Sequence, residues 1–108
     1  MNYEDVRVGM LVYLKDGYQE NFRECTGRVI AKRKNPTRWG SNILVDFSLD
    51  GNEPPHRGHK NRIFPEEQRL FTLLPEALEK PKYKSRWWVE PDYLTEVYNN
   101  VVLDGGLL

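Results

Sequence analysis

Five apolar side chains at strict spacing two constrain this chain more than any other feature. Val6, Val8, Met10, Val12 and Leu14 recur at every second position of VRVGMLVYLK, and a period of two places them on one face of an extended strand. Gly9 interrupts the opposite face, as at a bulge or a close backbone approach. The same alternation returns in Ile43, Val45, Phe47 and Leu49, with Asp46 and Ser48 turned the other way. Asp16-Gly17 and Asp50-Gly51 close the two stretches with turn chemistry. Residues 22–34, FRECTGRVIAKRK, read as a further extended stretch in which Gly27 is the expected kink or bulge. The two alternating sets are expected to line one core.

Prolines and glycines divide the rest of the chain. Residues 52–61 contain Pro54-Pro55 and Gly58, which exclude regular structure. Arg62-Ile63-Phe64 reads as a short strand halted by Pro65, and Leu70 to Leu74 as another stopped by Pro75. A chain of 108 residues with 39% hydrophobic content buries enough surface to fold without a staple. Four or five short strands and no long helix before residue 74 predict a mainly β fold. The expected form is a small, strongly bent barrel over 1–74, because closure removes exposed edges. Residues 75–108 read as a strap, with one helical turn at 76–79 and a docking strand at Trp87-Trp88-Val89. A short amphipathic helix is expected over 91–102. Pro91 suits its first position, and Leu94, Val97, Tyr98 and Val101 fall at spacings of three and four.

Val8-Gly9-Met10-Leu11-Val12-Tyr13, then Gly27-Arg28-Val29-Ile30, then Ile43-Leu44-Val45-Asp46-Phe47 resemble the SH3-like small β-barrels. That superfamily includes KOW, Tudor and plasmid-toxin barrels. The resemblance spans residues 5–74 and implies a fold, not a function. The toxin-type barrels that cleave RNA carry a Gly-rich, Arg-Pro-containing early loop that this sequence lacks.

The 16 Lys+Arg balance the 16 Asp+Glu, which excludes a simple polycation, but the charges are segregated. Residues 22–38 hold Arg23, Arg28, Lys32, Arg33, Lys34 and Arg38 against Glu24 alone. Arg57, Lys60 and Arg62 cluster around His59, and Lys80, Lys82, Lys84 and Arg86 come next. The last 22 residues carry only carboxylates among their charges. Segregation of this kind points to partners. The loop 35–42 carries Arg38 and Trp39 just after Arg33 and Lys34. Its cations suit phosphates, and its indole either stacks on a base or folds back to cap the core. The expected nucleic-acid contacts are therefore Arg33, Lys34, Arg38, Trp39, Arg57, His59, Lys60 and Arg62.

Neighbouring strand residues face opposite ways, so Trp87 and Trp88 are expected to divide between core and partner. With Tyr93 and Glu96 they form the expected protein-binding surface. His56-x-x-His59 lacks a cysteine and sits among cations, so no metal is expected. No phosphate loop, nucleophile elbow or dinucleotide fingerprint is present. No enzyme activity, cofactor or small-molecule ligand is expected. The leading reading is a non-enzymatic module for nucleic acid or a nucleoprotein surface. The second is a small phage or mobile-element accessory protein that binds and modulates a protein partner. A toxin-like ribonuclease using His59 is the third. A single cysteine, Cys25, and the start of the chain point to a reducing, cytoplasmic setting. No apolar run approaches a membrane span.

Overall fold

The computed structural model describes residues 1–15, 25–38, 40–49, 51–52 and 58–97, and the backbone alone of 98, 101 and 102. Strands β1 (Leu11–Leu14), β2 (Thr26–Arg33), β3 (Ile43–Asp46), β4 (Phe71–Leu73), β5 (Arg86–Val89), β6 (Leu94–Tyr98) and β7 (Val101–Val102) build one antiparallel sheet. Their order is β5-β3-β2-β1-β6-β7, with β4 also paired to β2. The mainly β expectation holds. Among the described residues the sheet is open, compatible with a small barrel-like fold, and its helical segments are all short 3-10 turns: Tyr3–Asp5, Pro65–Leu70, Pro75–Leu78 and Pro91–Tyr93. The expected turn at Asp16-Gly17 lies outside the described residues.

β2 organises the sheet because it is the longest strand and serves three partners. One edge pairs with β3; the other pairs with β1 at 26–28 and with β4 at 31–33. The register against β3 jumps between Val29 and Ala31, so Ile30 is the extra residue of a bulge, and a bulge bends its strand. Gly27, the expected bulge, is instead a close approach. A Cβ there would stand 2.6 Å from Val45 Cγ1 and 2.8 Å from the Asp46 carbonyl oxygen, so β3 lies where a side chain would be. Gly9 takes φ +96°, a left-handed turn favourable only to glycine. It ends the alternation as a regular strand before β1, while its N–H donates to Val29 O at 2.8 Å.

The bent sheet buries both faces. Val6, Val12, Leu14, Val29, Ile43, Val45, Phe47, Val89 and Leu94 form one core, with Val8, Met10, Trp87 and Tyr93 packed against it. Ile30, Ala31, Leu44, Ile63, Phe71 and Ala77 form a second on the opposite face, flanked by Leu73, Leu78 and Trp88. Eight of the nine expected core residues therefore share one cluster. Leu49 does not: β3 ends at Asp46, and Leu49 is 43% exposed. Residues 62–64 are not a strand; Ile63 is held by its N–H to Ala77 O at 2.8 Å.

The expected helix over 91–102 is absent. Pro91–Tyr93 makes one 3-10 turn, after which β6 pairs with β1 and β7 with β6. The edge of β1 offers backbone partners that a helix could not use. The segment LTEVY supplies Thr, Val and Tyr, which suit a pleated surface. The spacings that mimic a helical stripe are overridden by this pairing.

Candidate nucleic-acid interface

Alternation along β2 splits its terminal cations between the two faces. The Lys32 ammonium donates to Val6 O at 2.8 Å and lies 4.2 Å from the centre of the Tyr3 ring. The Arg33 guanidinium turns the other way and sits 4.9 Å from the Phe71 ring centre. Phe71 in turn contacts Trp88, with ring centres 5.6 Å apart. Arg33 and Trp88, expected to serve different partners, thus belong to one cation–aromatic row. The Tyr3 hydroxyl donates to the Arg33 carbonyl oxygen, pinning the N-terminal segment to the end of β2. Burial, then the nearby Glu4 carboxylate, raise the Tyr3 hydroxyl above its ordinary pKa.

Beyond Arg33 the chain enters the 34–42 loop, where Lys34, Asn35, Pro36, Thr37 and Arg38 are all exposed. The loop is nonetheless built. Buried Asn42 accepts at Oδ1 from the Thr37 N–H and from the Thr37 hydroxyl, both at 2.9 Å. Backbone bonds from Lys34 N to Leu70 O and from Arg33 N to Asn42 O, each 3.0 Å, anchor its first strand. Trp39 lies outside the described residues, as does Arg57.

The second basic segment is elsewhere. His59 pairs with Arg86 at the start of β5, whereas Ile43, at the end of the 34–42 loop, pairs with Val89 at its finish. The two segments thus attach to β5 at positions three residues, roughly 10 Å, apart along the strand. His59 and Lys60 are exposed, and the His59 ring lies 4.5 Å from Trp87. Arg62 covers Phe64 at 4.7 Å.

Arg86 is the residue that charge counting misplaced. It is 3% exposed. Its Nη1 donates to Asn61 O at 3.0 Å and Glu79 O at 2.7 Å, its Nη2 to Glu76 O at 2.9 Å, and its Nε stands 3.4 Å from Asp46 Oδ2. The guanidinium therefore clamps residues 61 and 76–79 onto the sheet and presents no charge to a partner. Its carboxylate partner lies 40 residues away in the chain, and the pairing of β3 with β5 is what brings Asp46 there.

Burial pushes the Asp46 carboxyl up, but hydrogen bonds from the Ser48 N–H, the Ser85 and Ser48 hydroxyls, and the Arg86 charge outweigh it, so its pKa falls below the ordinary value. A carboxyl depressed in the folded state stabilises the fold above its unfolded pKa of about 3.9. That contribution disappears as pH falls through the lower, folded value. Wild-type melting temperature should therefore drop below about pH 4. Asp46→Asn should melt lower at pH 7 and show a smaller drop on acidification. An equally steep drop in the variant would show that Asp46 is not the group responsible.

Tyr93 packs partly buried on the first core, and Glu96, on β6, faces Arg7 at 3.8 Å. That pair is largely exposed, so it contributes little stability. Trp87 and Trp88, on β5, are each half-buried and lie on opposite faces. The four residues expected to bind protein thus do not share one face. Among the described residues no group of three potential metal ligands is present, and no helix is long and apolar enough to cross a membrane. Comparison with protein-family models, with curated proteins and with solved structures finds no match for this chain.

Proposed function

We propose that this protein is a non-enzymatic nucleic-acid-binding module whose primary contact is the 34–42 loop. The observation that carries the reading is a cationic loop already held in shape: Lys34 and Arg38 are exposed, and buried Asn42 fastens the turn between them. A loop ordered before binding loses little conformational entropy when it meets a strand. Lysine and arginine there neutralise phosphates without reading bases. An SH3-like barrel relationship would suit such a module, and the bent sheet is compatible with it.

The test is fluorescence anisotropy with labelled oligonucleotides over a range of salt. Lys34→Ala and Arg38→Ala should each weaken binding of every sequence and lower the salt slope by about one contact's worth. Melting temperatures should stay close to wild type, because exposed loop residues carry little stability. Arg33→Ala is a poorer probe, since it also removes the packing on Phe71. Affinity unchanged in Lys34→Ala and Arg38→Ala, or absent in wild type, would reject the reading. Intact RNA after incubation with pure protein is expected; cleavage that vanishes in His59→Ala would replace binding with hydrolysis.

A further inference from the structure

On the face of β2 opposite Arg33's guanidinium lies an open groove of about 630 Å³. Its floor is Lys32 and Thr72, which face each other across β2 and β4. The N-terminal segment forms one wall through Tyr3, Arg7 and Val8, and Lys34 stands at the mouth. Glu4 is the one carboxylate on the lining, against the charges of Lys32, Lys34 and Arg7, the last of which also faces Glu96 at 3.8 Å. Tyr3, Arg7 and Lys32 carry no sequence signal of a shared site. They come together because Tyr3 bonds to the Arg33 carbonyl and Lys32 to Val6.

We infer that this groove is a single-strand subsite that receives successive phosphates of a nucleic acid whose neighbouring phosphates lie on the 34–42 loop. The inference rests on the function proposed above and specifies its ligand. Three observations carry it. First, an ammonium has three donors, and Lys32 engages Val6 O and the Tyr3 ring, leaving donor capacity toward the groove. Burial holds the Lys32 ammonium below its ordinary pKa, with Glu4 and Asp5 drawing it back up; a phosphate would restore what burial removes. Second, Lys32 and Lys34 are two residues apart along the β2 direction, roughly 7 Å, close to the separation of successive phosphates on a strand. Third, the lining beside these cations is partly apolar, with Tyr3, Val6 and Val8. A strand with splayed bases covers such a lining, whereas a duplex keeps its bases stacked inside and offers it only phosphates.

The deciding variants are at Thr72, which is exposed on the groove floor. Thr72→Glu places a carboxylate beside Lys32, and Thr72→Lys adds a cation. Binding of labelled single-stranded oligo-dT and oligo-U is measured at fixed salt, beside a duplex of equal length and beside Arg38→Ala. Thr72→Glu should weaken single-strand binding at least about tenfold, since like charges placed together are strongly unfavourable. Thr72→Lys should strengthen it and steepen the salt slope by about 0.7. Arg7→Ala should weaken it by a smaller factor, and the duplex should bind more weakly than the single strand. Both Thr72 variants are checked for a native melting temperature; their opposite signs exclude a folding artefact. If Arg38→Ala weakens binding while neither Thr72 variant changes it, the groove is not a subsite and the loop reading stands. If the duplex binds as tightly as the single strand, the single-strand assignment is wrong. If wild type binds no oligonucleotide, the function proposed above falls, and the groove assignment falls with it.

Discussion

Arg86→Met is expected to lower unfolding free energy by roughly 3–5 kcal/mol, the cost of breaking a buried ion pair by removing one partner. The guanidinium is 3% exposed and serves three carbonyl oxygens and one carboxylate. Methionine fills similar space but leaves Asn61 O, Glu79 O, Glu76 O and Asp46 without their donor. For a domain of this size the melting temperature should fall by roughly 15 °C or more. Arg86→Lys should recover only part of the loss, because an ammonium cannot reproduce the planar fork that spans the two turns. Thermal unfolding followed by circular dichroism measures both. A melting temperature for Arg86→Met within a few degrees of wild type would mean that the clamp contributes nothing. Since Arg86 faces the interior, an oligonucleotide affinity that survives at temperatures where the variant is folded is also expected.

Val45→Asp and Leu44→Asp should each prevent folding. Both side chains are fully buried, on opposite faces of β3 and in different cores. An unpaired carboxylate in either place costs several kcal/mol, which is comparable to the whole stability of a small domain. The pair is informative because a strand with one solvated face would tolerate aspartate at one of two adjacent positions. Loss of the folded signal in both variants is the expected result. A folded Leu44→Asp protein would show that the second core is not closed.

Gly27→Ala belongs with these effects for a related reason. The added methyl would meet Val45 and Phe47 side chains and the Asp46 carbonyl. All three atoms lie on or just after β3, the strand paired with β2 through the bulge, so the clash can be relieved only by moving one of the two central strands.

Local pattern was enough to define the face of β1, most of the face of β3, a turn near 76–79, observed one residue earlier at Pro75–Leu78, and the strand at 87–89. Each depends on near neighbours: period-two alternation, a proline that halts a strand, a short apolar run between breakers. The charged loop, read as 35–42 with Arg33 and Lys34 just before it, was legible for the same reason, since its cations lie within a few residues of one another. Everything that depends on distant pairing was not. Leu44 and Ile30 become core only because residues 58–78 cover the second face. Leu94 to Tyr98 carries helical spacing, yet β1 offers it an edge, and satisfying that edge outweighs the local preference. Arg86 sits in a basic run, but pairing of β3 with β5 sets it beside Asp46, so its charge belongs to the interior. The groove joins Tyr3 and Arg7 to Lys32, Lys34 and Thr72, residues drawn from three separate stretches of the chain. Side-chain period reports which way a residue points, while the strand that arrives from far along the chain decides what it points at.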